Sequence, residues 1–368
     1  MRGWWLLFLF VLPLPAVAAE APAPVAGIVR EWAAIPLDAN DAASPRLEAL
    51  VTRPVAPGHY PIVVISHGSP RNAADRASTA PSGYSAIALA FARSGWIAVA
   101  ASRRVYGRSS PIYAEGSGSC RNPDYTAAGL QSATDILATA EFARRLADAD
   151  PARPLLIGVS AGGFGSIAAA SLRPAGLTAV VNFAGGRGSI ADDTVCAEGN
   201  LVDAYGRYGA GVRVPTLWVY AENDKFFGPA LARRMFDSFT AAGGRGELAM
   251  APPFGRDGHA LFNGDPAAWR DTVNAFLARH ALPPLVPRDA ALRPQLAPPP
   301  GLGEGGRREF ERYLTSENYE KAFAIGRGGA FAWRSGQRSI DEAAMLALAA
   351  CRADADCRLY AVNDRLAE

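Results

Sequence analysis

In the stretch PLLIGVSAGGFGSIAAA, residues 154–170, Ser160 stands between Gly158 and Gly162 where an apolar run meets a helical pattern. Glycine weakens a strand or helix by roughly 0.5–1 kcal/mol relative to alanine, so propensity does not explain the pair. A tight strand-to-helix turn does. Bulky residues two positions either side of the serine would clash there. The turn also lifts the serine hydroxyl to a helix N-terminus, where the dipole and free N–H groups stabilise negative charge. A serine hydroxyl is a weak nucleophile. It needs a base, and the base needs an acid to orient it. Of the 4 histidines, His59 precedes a strand, His280 ends a helix, and His67 in ISHGSP shapes a turn. His259, in GRDGHALF, lies on a loop between a strand and a helix and is placed to act as base. The acid is expected after the apolar run of VPTLWVYAENDKFF, at Asp224, with Glu222 as the alternative. An oxyanion needs two N–H donors. Ala161 follows the serine and supplies one; the turn at Ser69 or Gly68 supplies the other.

These residues need strands and helices to bring them together. Residues 27–54 alternate in two runs and read as an antiparallel pair. Ile62–Ile65 is a continuous apolar run, as in a strand buried on both faces. A helix over 82–93, a strand in GWIAVAAS, a long loop over 103–130 and a helix over 132–149 follow. Strands over 155–159, 179–183, 216–220 and 248–251 then alternate with helices ending near Ser171, over 229–241 and over 266–280. Buried strands alternating with helices predict an α/β fold: a mostly parallel sheet with helices on both faces and its chemistry on loops at the strand ends.

The chain of 368 residues, 49% hydrophobic and 20% charged, suits one large domain of residues 20–282 and a small one. Its net charge of +2 gives no footprint for nucleic acid. Residues 1–19 read as an export leader: Arg2, the apolar run Trp4–Pro15, then Ala16-Val17-Ala18-Ala19. The run is shorter than the ~20 residues of a membrane span. The expectation is an exported protein, periplasmic or secreted, with no span after leader removal. Residues 283–306 are rich in Pro and Gly and read as a semi-extended linker. Residues 307–368 follow as a small α+β C-terminal module, expected to carry its helices on one face of an antiparallel sheet. Cys351 ends a helix and Cys357 opens a strand, a step compatible with the ~4.4–6.8 Å of a disulfide. Cys120 then pairs with Cys196 and ties two long loops together. No CxxC occurs and no histidine neighbours a cysteine in sequence, so no metal site is expected.

The order Ser160, Asp224, His259 is that of the α/β-hydrolase fold. YPIVVISHGS, GVSAGGFGS, VPTLWVYAENDKFF and GRDGHALF together resemble the dienelactone hydrolase-related branch of that superfamily, over residues 27–280. The resemblance implies a hydrolase of carboxylic esters or related acyl compounds, acting on a small-molecule substrate without cofactor or metal. The chain departs from dienelactone hydrolase itself in one respect: Ser160 replaces a cysteine nucleophile, which favours a general serine esterase. A peptidase using the same residues, or a non-catalytic scaffold with a binding C-terminal module, are the alternatives. Arg103, Arg104, Tyr106 and Arg108, in the loop after the fourth strand, are candidates for binding an anionic group of a substrate. The same arginines also read as solvated loop residues.

Overall fold

The structure, a computed structural model, describes residues 21–264, 266–351 and 356–367. The leader reading concerns residues 1–19, which lie outside these. The main sheet consists of β1 (Ile28–Pro36), β2 (Arg46–Pro54), β3 (Tyr60–Ser66), β4 (Ile97–Ala101), β5 (Ala149–Val159), β6 (Ala179–Phe183), β7 (Thr216–Ala221) and β8 (Gly246–Ala251), in spatial order β1-β2-β4-β3-β5-β6-β7-β8. β2 is antiparallel to both β1 and β4; from β4 to β8 the strands are parallel.

Alternation along β3 shows how both faces are covered. Ile62 and Val64 enter the layer beneath α2 (Tyr125–Arg144), α3 (Ala161–Ser171), α4 (Glu198–Gly209) and α5 (Pro229–Ala241). Val63 and Ile65 enter the opposite layer, beneath α1 (Ser85–Arg93) and α6 (Arg270–Arg279). Helix α2 begins at Tyr125, earlier than the sequence pattern predicts, because the Asp124 side chain caps it by accepting from Ala127 N at 2.8 Å. Gly129, which reads as a loop residue, lies inside α2 and leaves room for the Tyr208 hydroxyl. No described helix is long and apolar enough to cross a membrane.

The C-terminal module has α7 (Glu304–Thr315), β9 (Ala322–Ile325), β10 (Phe331–Arg334), α8 (Ile340–Ala350), β11 (Arg358–Val362) and β12 (Arg365–Leu366). Its sheet runs β10-β9-β11-β12, all antiparallel. The helices are not on one face. Phe323 and Ile325 pack with Phe310, Tyr313 and Leu314 of α7, whereas Ala322 and Ala324 pack with Ala343 and Ala347 of α8. Strand β9 is apolar on both sides, large on one and small on the other, so each side takes a helix. Both expected disulfides are present: Cys120–Cys196 with Cα atoms 4.9 Å apart, and Cys351–Cys357 at 6.2 Å.

The module is docked on the main domain. Leu282 and Leu285 are buried in the main core and Leu302 in the module core. Asn274 holds Leu285 through both its backbone groups, at 2.7 and 2.8 Å. Arg30 of β1 and Glu320 form an ion pair at 2.9 Å with both side chains 1% exposed. Arg30 also donates to Ser85 Oγ at 3.0 Å, and Glu320 accepts from Ala23 N at 2.7 Å. Removing one partner of a buried pair leaves the other charge desolvated and uncompensated. Glu320→Ala should therefore lower the unfolding free energy of the full chain by about 3–5 kcal/mol in urea titration. A loss under about 1 kcal/mol would mean that this pair does not hold the module.

Candidate active site

Ser160 joins β5 to α3 at φ 55° and ψ −123°, left-handed backbone that a side-chain-bearing residue adopts only under constraint. Its N–H donates to Phe183 O at 2.9 Å, and its carbonyl accepts from Phe164 N at 3.0 Å and Gly186 N at 3.1 Å. A Cβ on Gly162 would lie 2.2 Å from Ser66 O, and one on Gly158 2.6 Å from Gly162 C. Both positions exclude a side chain, as the motif requires. A strained serine between a buried strand and a buried helix, in a sheet of this strand order, decides the fold. The chain has the α/β-hydrolase fold.

The chain is similar to a putative dienelactone hydrolase from Klebsiella pneumoniae subsp. pneumoniae MGH 78578, at 18% identity over 69% of this chain and 98% of that one, with a TM-score of 0.49. An acetyl xylan esterase from Paenibacillus sp. R4 matches at 16% identity over 70% and 86%, TM-score 0.47. A predicted CIB-like hydrolase from Thermoplasma acidophilum matches at 16% identity over 69% and 100%, TM-score 0.47. No protein-family model and no curated protein matches the chain.

The other two predicted residues meet each other. His259 Nδ1 is 3.1 Å from Asp224 Oδ2, and Asp224 is fully buried. The second carboxylate oxygen of Asp224 accepts from Phe226 N at 2.7 Å and Phe227 N at 2.8 Å. Those bonds fix the carboxylate, so it orients the imidazole. Glu222, the alternative acid, is exposed. Sequence reasoning missed what lies on the faces of the imidazole. Phe226 stacks on His259 with centroids 3.9 Å apart and planes 10° apart, and the Arg71 guanidinium covers the other side of Phe226 at 3.6 Å. Phe227 stands 5.7 Å from the imidazole and against Gly186, whose N–H is bonded to Ser160. No hydrogen bond joins the Ser160 hydroxyl to His259 here. Such bonds commonly tighten only when substrate is present.

On the other side of Ser160 the turn after β3 closes in. A Cβ on Gly68 would lie 3.2 Å from Ser160 Cβ. The Gly68 N–H donates to the Tyr84 hydroxyl at 3.3 Å, whereas the Ser69 N–H has no partner among the described residues. The Ala161 N–H is the first of α3 and has no intrahelical acceptor.

Three of the four candidate substrate residues turn inward. Arg103 is buried: it pairs with Glu115 and donates to Ser66 Oγ at 2.9 Å and His67 O at 2.7 Å. Tyr106 is buried, its hydroxyl 2.8 Å from Ser69 Oγ. Arg104 is bound to Asp135 at 2.8 Å. These three meet internal partners rather than open solvent; Arg108 is exposed, its N–H on Glu48 at 2.9 Å. Glu115 and Arg187 escaped the sequence reading. Arg187 also pairs with Glu115 and donates to Ser132 Oγ at 3.0 Å. Burial opposes ionisation of Glu115, but the two guanidiniums outweigh it and hold the carboxyl well below its usual range. The signal was present: Glu115 is the one acid in residues 102–119, beside three arginines.

His67 is buried, accepts from Arg103 N at Nε2 (2.9 Å), and lies 2.6 Å from Gly68 O at Nδ1. Burial, then the Arg103 charge, lowers its pKa from 6.5 to about 3. It stays neutral and braces the turn instead of serving as a base. The unfolded chain therefore takes up this proton first, and stability falls as pH drops from 6.5 toward 3, by up to about 1.4 kcal/mol per pH unit. From pH 6.5 down to about 5, where carboxylates barely titrate, the slope of unfolding free energy against pH should flatten in His67→Gln. An unchanged slope would show that His67 is not the buried neutral group described.

Proposed function

We propose that the chain is a serine hydrolase of carboxylic esters that works through an acyl-enzyme. The observation carrying this reading is the strained Ser160 elbow in one sheet with a buried, doubly anchored Asp224 bonded to His259. Ser160 Oγ bonds to the ester carbonyl carbon while its proton passes to His259 Nε2. Asp224 holds the other ring nitrogen protonated and stabilises the imidazolium. The N–H groups of Ala161 and Ser69 donate to the oxyanion, each worth roughly 3–4 kcal/mol in the transition state. The ester C–O bond then breaks and His259 returns the proton to the departing alcohol. Water repeats the sequence: its proton goes to His259, its oxygen bonds to the acyl carbon, the Ser160 ester breaks, and the proton returns to Oγ.

The paired cysteines support action in an oxidising compartment, consistent with export. A fluorophosphonate should label the wild type and leave Ser160→Ala unlabelled. In an assay with small activated esters, Ser160→Ala and His259→Ala should each lose roughly 10⁴-fold or more in kcat, and Asp224→Asn somewhat less. Parallel ester and peptide panels decide between esterase and peptidase. Near wild-type ester turnover by folded Ser160→Ala would defeat the mechanism.

A further inference from the structure

A cavity of about 560 Å³ opens where the module meets the main domain. Helix α1 and the start of α6 form one wall, the end of α7 and β10 the other, and the segment after Leu285 the floor. Its volume falls in the ~300–1,000 Å³ range of small-ligand pockets. None of the residues placed around Ser160 lines it.

The lining is basic. Arg93, Arg270, Arg288, Arg293 and Arg312 all reach it, against a single acid, Glu317, among the described lining residues. Glu317 is shared: Arg93 donates to it, and Arg288 Nε lies 3.2 Å from it. Arg312 pairs with Glu309 at 2.8 Å outside the lining, with Arg312 itself 72% exposed. Arg270 lies 3.9 Å from Asp271, which is 96% exposed and so mostly screened by solvent. Arg293 makes no ion pair among the described residues. Among the described lining residues positive charge therefore exceeds negative, in a concave space where low-dielectric walls focus the field. Trp333 adds a flat apolar face. Its indole N–H donates to Glu309 at 3.1 Å and its ring stands against Tyr313 at 6.0 Å, so it is held in place.

Guanidinium forks match carboxylates bidentately, and a fixed indole offers an apolar face beside them. We propose that this cleft binds an acidic oligosaccharide, with uronate carboxylates on the arginines and a sugar ring on Trp333. The site exists only because the module is docked, which gives the module a ligand-capturing role separate from ester hydrolysis.

Calorimetric titration of the full chain at low salt tests this with three probes: a galacturonate trimer, a galactose trimer and inorganic phosphate. The acidic trimer should bind, with affinity that falls as salt rises. The Arg293→Ala/Arg312→Ala double variant should lose tenfold or more in affinity, with its unfolding midpoint and small-ester turnover unchanged. Arg270→Gln provides a second, independent variant and should also weaken binding. The proposal is overturned if the acidic trimer does not bind, if the galactose trimer binds as tightly, or if both variants bind like the wild type. Phosphate binding as tightly as the trimer would also overturn it, since the site would then recognise an anion and not a saccharide.

Discussion

A serine at φ 55° costs of order 1–3 kcal/mol and persists only where its surroundings over-determine it. Most of the architecture around Ser160 is what over-determines it. Its backbone is bonded to the end of β6, to the first turn of α3 and to the loop after β6. Gly162 lets the helix approach the β3 turn so closely that a Cβ would overlap Ser66 O. The parallel sheet fixes where these segments end. The strain is thus tied to the pairing of β3, β5 and β6, and anything that loosens that pairing releases the hydroxyl from its position.

The second constraint is electrostatic. Two arginines share Glu115 behind the β3 turn, and one buried carboxylate between two guanidiniums leaves a surplus positive charge. Buried charges of this kind are costly unless hydrogen-bonded. Ser66, His67, Ser132 and Tyr106 supply those bonds, so the cluster fixes the turn that carries the Ser69 N–H. Glu115 belongs to the loop after β4 and Arg187 to the loop after β6. The Cys120–Cys196 disulfide joins the same two loops across a sequence separation of 76. In the chain-entropy description, a closure of that length is worth about 4–5 kcal/mol through the unfolded state. Covalent bond and ion cluster therefore act on one pair of loops.

That Ser160 stands on a strand-to-helix turn, and that Asp224 and His259 lie on loops after strands, was legible because each follows an apolar run. The α/β layering was legible for the same reason: Ile62–Ile65 has no polar face. What stayed hidden is tertiary. Nothing local says that Phe226 will stack on His259, or that Arg103 will turn inward to Glu115 instead of outward to a ligand. Loop arginines read as solvated until a buried acid is found for them. Gly129 misled in the opposite direction. It reads as a loop residue, yet it is a helical position emptied for Tyr208, and the true cap at Asp124 lay before it.

The segment after residue 282 shows why composition is a poor guide to freedom. Its prolines and glycines read as a tether, but a chain needs few anchors to be fixed once proline has already restricted it. Leu282 and Leu285 enter one core and Leu302 the other, and Asn274 clasps Leu285 at both backbone atoms. Arg288 of this segment then meets Glu317 of the module, which also receives Arg93 of the main domain. Three segments far apart in sequence converge on one carboxylate. Together with the buried Arg30–Glu320 pair and the Arg338–Glu48 pair at 2.8 Å, this makes the contact between domains ionic at three points, one of them fully dry and one at the edge of a basic cleft. The dry pair stabilises docking only with excellent geometry, because desolvation offsets most of its attraction. At the edge of the cleft two guanidiniums, of Arg93 and Arg288, meet the same Glu317 carboxylate. That cluster lies where the two domains meet, so the docking geometry that buries Glu320 also brings the arginines of the cleft together.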